Sequence, residues 1–223
     1  MRFSSLVLVC VLGCTTSPAS EPIGGGGGKA DDATLSSGPP ANSVQHFLRT
    51  PLVRQATEYT CGVASLLSVL GYYGVPDINE GDLATKLGSD PDGGTNYREI
   101  VEYARSVGLT VTTKTNMTIA ELTARIDQKH PVMLALQAWV DDPATVDWTE
   151  TFENGHYVVA TGYDAENIYF MDPYMRGTYT FIPRAQLEQR WHDGDGEGPL
   201  EHFGILFSGR QPAYDPERTV QMP

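Results

Sequence analysis

Positive charge is scarce in this chain: 15 lysines and arginines face 28 aspartates and glutamates, and the formal net charge at pH 7 is −13. Such a surface repels nucleic-acid phosphates, which argues against that partner. The basic patch that peripheral docking on anionic lipid needs is missing as well. After the first twenty residues no apolar run is long enough to cross a bilayer. Cysteine is nearly absent, with Cys10, Cys14 and Cys61 alone. No internal repeat divides the 223 residues, a length that suits one domain with a sizeable core.

What is present begins at the N-terminus. Met1-Arg2 is a short positive segment, and Leu6 to Leu12 is an apolar one of signal-peptide length. Val11-Leu12-Gly13-Cys14 resembles a bacterial lipobox, which makes Cys14 the expected lipidated residue. Residues 1–14 are therefore expected to be a lipoprotein-type signal peptide. The protein is expected to be exported and held at the cell envelope, an outer membrane or cell surface, through N-terminal lipid alone. Residues 15–41 read as a flexible tether, since the five glycines Gly24 to Gly28 hold no fixed conformation cheaply. With Cys10 in the signal and Cys14 under lipid, Cys61 stands alone where cysteines normally pair. It is either a small buried apolar residue or a reactive thiol.

The expected folded domain spans 42–209, with a polar C-terminal tail at 210–223. Val63, Leu66, Leu67 and Leu70 fall at helical spacing between Cys61 and Tyr73, with Thr60 placed to cap the start. Further helices are expected from Asn79 or Glu80 to Leu87 and from Asn96 to Val107, the latter capped by Thr95. Another follows the capping box Thr118-Ile119-Ala120-Glu121. Strands are expected at Leu109–Lys114, Val132–Trp139, His156–Tyr163, Asn167–Met171, Thr178–Ile182 and Phe203–Phe207. One more helix, with Pro183 at its first position, fits before the last strand. Helices first and a mainly antiparallel sheet after them is the α+β order.

The chemistry concentrates at Gln55-Ala56-Thr57-Glu58-Tyr59-Thr60-Cys61-Gly62. A cysteine at a helix start sits where free backbone N–H groups and the dipole favour a thiolate. Gln55, six residues upstream, is placed to donate to an oxyanion together with the Cys61 N–H. A thiolate needs an imidazole, and of five histidines only His156 opens an apolar strand that is followed by a second strand ending in Asp172. If His156 faces Asp172 directly, Thr161 faces Asn167 and the loop runs from Gly162 to Glu166. A carboxylate there takes one ring nitrogen and leaves the other for the thiol. Asp164, the other candidate to orient the ring, falls in the turn. Asp193, Asp195 and Glu197 alternate like part of a calcium loop, but Gly204 occupies the last ligand position, so a solvated acidic turn is the expectation. No cofactor is expected. Trp139, Trp148, Phe152 and Tyr174 fall near the histidine hairpin, as rim packing or as the lining of a groove.

Together these stretches resemble the bacteriocin-processing, double-glycine-leader peptidases of the papain-like superfamily. The likeness lies in Gln55, Thr60-Cys61-Gly62-Val63-Ala64-Ser65-Leu66, Tyr72-Tyr73-Gly74, Gly155-His156-Tyr157-Val158-Val159-Ala160-Thr161-Gly162-Tyr163 and Ile168-Tyr169-Phe170-Met171-Asp172-Pro173. It implies a papain-like cysteine peptidase fold and a peptide or protein substrate. It also implies Cys61 as nucleophile, His156 as general base and acid, Asp172 as orienter and Gln55 as oxyanion donor. The family's usual fusion to a transporter and ATPase is not expected, so the resemblance implies a free-standing enzyme of similar chemistry. An acyl transferase or peptide ligase would use the same residues, and a non-catalytic binding domain is the remaining alternative.

Overall fold

The computed structural model describes residues 37–140, 145–175 and 178–222. The expected signal segment with Cys14, and the tether as far as residue 36, lie outside the described residues.

A two-residue strand, β1 (His46–Phe47), precedes the first helix and had no signal in the sequence pattern. Helix α1 (Cys61–Tyr72) is buried nearly all round, as its lack of charge requires. Helix α2 (Glu80–Lys86) is capped by Asn79, whose side chain accepts from the Asp82 N–H. Helix α3 (Tyr97–Ser106) is capped by Asn96 and not by Thr95, whose hydroxyl instead pairs with Ser89 at 2.9 Å. After β2 (Thr110–Lys114), α4 (Ile119–Asp127) opens on the expected capping box of Thr118 and Glu121. Then come β3 (Val132–Gln137), β4 (Gly155–Tyr163), β5 (Asn167–Met171) and β6 (Tyr179–Pro183). Pro183 ends β6 and stands just before α5 (Arg184–Arg190), one position earlier than the helix start expected of it. Strand β7 (Gly204–Ser208) is last.

The sheet runs β2-β7-β3-β4-β5-β6, with β1 on the far end of β4, and every pairing is antiparallel. Helices cover both faces, which explains why all six residues of β3 are buried. Met133, Ala135, Val159, Met171, Ile205 and Phe207 pack with the apolar side chains of α1, α2 and α3. Their alternates Val132, Leu134, Leu136, Val158, Ala160 and Phe170 pack with Leu122 and Ile126 of α4, Leu187 of α5 and Trp191. The protein is an α+β molecule with a central antiparallel sheet, and α1 points its N-terminal tip at the start of β4.

The β4–β5 hairpin differs from the counted register. Tyr163 pairs with Ile168 and Gly162 with Tyr169, and a bulge at Thr161 resets the ladder so that Ala160 pairs with Phe170. The turn is therefore three residues, Asp164 to Glu166, not five. Carried on, the ladder sets Asp172 opposite Val158 and diagonal to His156. The slip is by two residues, so both side chains stay on one face.

Candidate active site

Cys61 is the first residue of α1 and is half-buried. Thr60 occupies the N-cap position, but its hydroxyl does not cap the helix. It turns back to Thr57 instead, accepting from that residue's N–H at 3.2 Å and lying 3.3 Å from its carbonyl oxygen. The first-turn N–H groups are thereby left free of a side-chain acceptor, the electrostatic setting in which a thiolate is stabilised.

His156 and Asp172 are both 6% exposed, and the His156 Nε2 lies 2.9 Å from Asp172 Oδ1. The same carboxylate oxygen accepts the Tyr174 N–H at 2.9 Å, which fixes its orientation. On its other side the ring is coupled electrostatically to Cys61, each group shifting the other's proton affinity. With Nε2 committed to Asp172, that coupling falls to Nδ1. A line of thiol, imidazole and carboxylate results, with the first two at the junction of α1 and β4.

The electrostatics follow from these contacts. Burial alone would push the Cys61 thiol up, but the His156 hydrogen bond and charge, with the N–H groups of Tyr157 and Gly62 aimed at sulfur, bring it below its ordinary value. Burial alone would lower His156, yet the Asp172 charge and hydrogen bond, then the Cys61 contact, raise it to about 10. Opposite displacement of a thiol and an imidazole in contact favours the thiolate–imidazolium pair.

Gln55 is brought to the same neighbourhood by its backbone, whose N–H donates to the Pro173 carbonyl beside Asp172 at 2.9 Å. Its side chain does not point its donor to Cys61: Nε2 gives its hydrogen to the Thr57 carbonyl at 2.8 Å. Its Oε1 is buried without a partner among the described residues. Ala56 beside it donates to the Glu80 carboxylate at 2.8 Å, which fastens the entry segment to the start of α2.

The remaining histidines have other work. His46 pairs with Asp127 and stacks on Tyr163, and His130 meets the Tyr73 hydroxyl. His192 holds the Trp148 carbonyl, and His202 stacks on Trp191. Asp164 accepts from the N–H groups of Glu166 and Asn167 and from the Tyr169 hydroxyl, so it builds the turn and stands away from the ring. In the acidic loop, Arg98 pairs with both Asp195 and Glu197, at 2.9 and 2.8 Å.

Of the aromatic residues, Trp139 stands edge-on to His156 at 6.3 Å and packs on Tyr174 at 4.5 Å. Trp139 adopts a φ of +61°, a costly backbone state for a bulky residue. The sequence placed it in a strand; the chain in fact leaves β3 at Gln137 and turns sharply to bring the indole edge-on to His156. Trp148 packs under the Arg190 guanidinium, and Phe152 packs on His192 while remaining 52% exposed. One residue with no earlier signal, Gln137, also shapes the site, together with Asp193 of the acidic loop. Gln137 is fully buried, accepts from the Asn154 N–H at 3.0 Å and donates to the His192 carbonyl at 3.2 Å. Its Nε2 also reaches Asp193, whose carboxylate lies against Gly155.

Comparison with known proteins places the fold and the family. Residues 47–197 match the model of the Peptidase_C39 like family. The transport/processing ATP-binding protein ComA of Streptococcus pneumoniae is 28% identical over 173 residues, covering 74% of this chain and 19% of ComA. The chain thus spans about a fifth of that relative's length. Among solved structures, a putative C39-like peptidase from Bacillus anthracis superposes with a TM-score of 0.56 at 20% identity, over 75% of this chain and 97% of that one. A double glycine motif protease from an AMS/PCAT transporter, in complex with the leader peptide, gives 0.51 at 19% identity, over 72% and 92%. The fold is theirs, and the chain belongs to the Peptidase_C39 like family of cysteine peptidases.

Proposed function

We propose that this chain hydrolyses peptide bonds with Cys61 as nucleophile, His156 as acid and base, Asp172 as orienter and Gln55 as oxyanion donor. The observation that carries the reading is the buried His156–Asp172 hydrogen bond, with the ring coupled electrostatically to Cys61 at an uncapped helix tip. The Cys61 thiolate attacks the scissile carbonyl carbon, and the electron pair of the C=O bond moves to oxygen. The Cys61 N–H holds that oxyanion. Gln55 joins when its side chain swings Nε2 away from the Thr57 carbonyl toward the oxyanion. Imidazolium Nδ1–H protonates the leaving amine as the C–N bond breaks, giving a thioester. Water, losing its proton to Nδ1, then attacks the thioester carbonyl, and the C–S bond breaks to release the acid and restore the Cys61 thiolate beside the imidazolium.

A peptide or protein is the substrate class; the leader peptide held by the AMS/PCAT protease supports this reading. Cys61→Ala is expected to abolish cleavage in a peptide-library digest while circular dichroism and melting stay unchanged. Cleavage at the wild-type rate in that variant would sink the proposal. Export and lipid attachment at Cys14 belong to the same reading. Their test is metabolic labelling with a fatty-acid probe, expected in the wild type and lost in Cys14→Ser; labelling that survives the substitution rejects them.

A further inference from the structure

The wall of the site beside His156 holds a carboxylate that the triad does not use. Asp193 lies directly over Gly155: a Cβ at that glycine would stand 2.7 Å from both Asp193 Oδ1 and Oδ2. Only a residue without a side chain leaves room for this approach, one position before the catalytic imidazole. Oδ1 is held by Gly194 N–H at 2.9 Å and by Gln137 Nε2 at 3.3 Å. Gln137 is itself fully buried and paired to Gly155 across β3 and β4. Oδ2 has no hydrogen-bond partner among the described residues, and it is not one of the sealed atoms.

The loop that carries Asp193 is rigidly built. Leu200 N–H closes on the Asp193 carbonyl at 2.7 Å, and Gly194 bridges to Pro199. Arg98 ties Asp195 and Glu197 of the same loop to α3. These two acids therefore have a cation, whereas no lysine or arginine among the described residues pairs with Asp193. Burial pushes the Asp193 carboxyl up to about 6, with His192 and His156 opposing the rise, so the group is largely ionised at neutral pH. A half-buried carboxylate with one oxygen pre-held, the other unpaired, and only the His156 ring, already bonded to Asp172, as its strong neighbouring cation can take a further positive partner.

We propose that Asp193 is a specificity-determining residue, and that its open oxygen receives a lysine or arginine side chain of the substrate flanking the scissile bond. This rests on the peptidase reading above and names the substrate class within it. The geometry favours a side-chain cation: Asp193 stands against Gly155, next in sequence to His156, and its carboxylate is held in place before any substrate arrives.

The test is an internally quenched peptide set in which lysine or norleucine occupies each position on either side of the cleaved bond, digested by the full chain. The wild type is expected to prefer lysine at one position by about tenfold or more in kcat/KM, the worth of one charge-assisted hydrogen bond. Asp193→Asn keeps an acceptor for Gln137 and Gly194 and is expected to flatten that ratio to near one. Asp193→Lys is expected to reverse it against a glutamate peptide. Cleavage without lysine preference, or a preference that survives in Asp193→Asn, overturns the inference and leaves the peptidase reading standing. A fall equal for lysine and norleucine peptides also overturns it, since it assigns Asp193 to support of the loop or of His156. If no peptide is cut by the wild type, the peptidase reading fails and this inference fails with it.

Discussion

At the scale of single residues, the reacting pair is set by one charge. Asp172 is the leading partner that opposes the burial of His156 and lifts its ring to about 10. The thiol, lowered by that same ring, ionises at lower pH than a free cysteine. The competent thiolate–imidazolium state is thus present between the two values. kcat/KM is expected to rise as Cys61 deprotonates and to fall as His156 loses its proton near pH 10. Asp172→Asn keeps an oxygen for the ring and for the Tyr174 N–H but removes the charge. The alkaline limb is then expected to move to lower pH, and kcat/KM at its optimum to drop by roughly 10²-fold. A pH profile of peptide cleavage, paralleled by the alkylation rate of Cys61, reads both. An alkaline limb that does not move would mean that Asp172 acts by position alone.

At the scale of elements, the site depends on how α1 and the β4–β5 hairpin are held. The entry segment to α1 is fastened on one side by the Gln55 N–H to Pro173 and on the other by the Ala56 N–H to Glu80. Glu80 makes no hydrogen bond to Cys61 or His156 among the described residues, so its effect runs through the segment carrying Gln55. Glu80→Ala is expected to lower kcat by about three- to tenfold, the worth of one hydrogen bond, with little change in the rate of Cys61 alkylation. Equal loss in both measurements would place the effect at the helix tip instead. Much of this scale was legible in the sequence: the apolar period of α1, the Thr118–Glu121 box and the strand that His156 opens all follow from local pattern. The hairpin register was not. A three-residue turn and a bulge at Thr161 depend on how β1 docks: the Leu48 N–H takes the Thr161 carbonyl, and Phe47 lies so close to Gly162 that a Cβ there would stand 2.5 Å from its ring. The pairing of His156 with Asp172 survives because the slip is even. Asp193 was legible only as one acid in an acidic run; its separation from Arg98-bound Asp195 and Glu197 is a fact of tertiary packing. Trp139 hid for a similar reason, since nothing in its residue type foretells a φ of +61°.

At the scale of the whole molecule, α1 joins the site to the remote end of the domain. Its C-terminal residue, Tyr72, has a carbonyl left over by the helix, and the polar tail supplies the donors: the N–H groups of Ala213 at 2.8 Å and Tyr214 at 3.2 Å. Ala213 also packs on Gly74, where an added Cβ would come within 2.7 Å of its own. The tail is thus a strap across the end of the central helix. Removing residues 210–223 exposes that carbonyl and the Tyr72 edge, a loss of about 1–3 kcal/mol at 0.5–1.5 per bond. For a domain of this size the melting temperature is expected to fall by roughly 2–12 °C. Cys61 lies eleven residues away at the other end of α1, about 16 Å along the axis. Well below the transition, kcat/KM is therefore expected to stay within about twofold of the full chain, because the hydrogen bonds of the triad lie wholly within the body. Calorimetry beside a cleavage assay at 25 °C separates the two effects. An unchanged melting temperature would show that the strap holds nothing. A loss of activity at 25 °C without further unfolding would show instead that the far end of α1 controls where its tip places the sulfur.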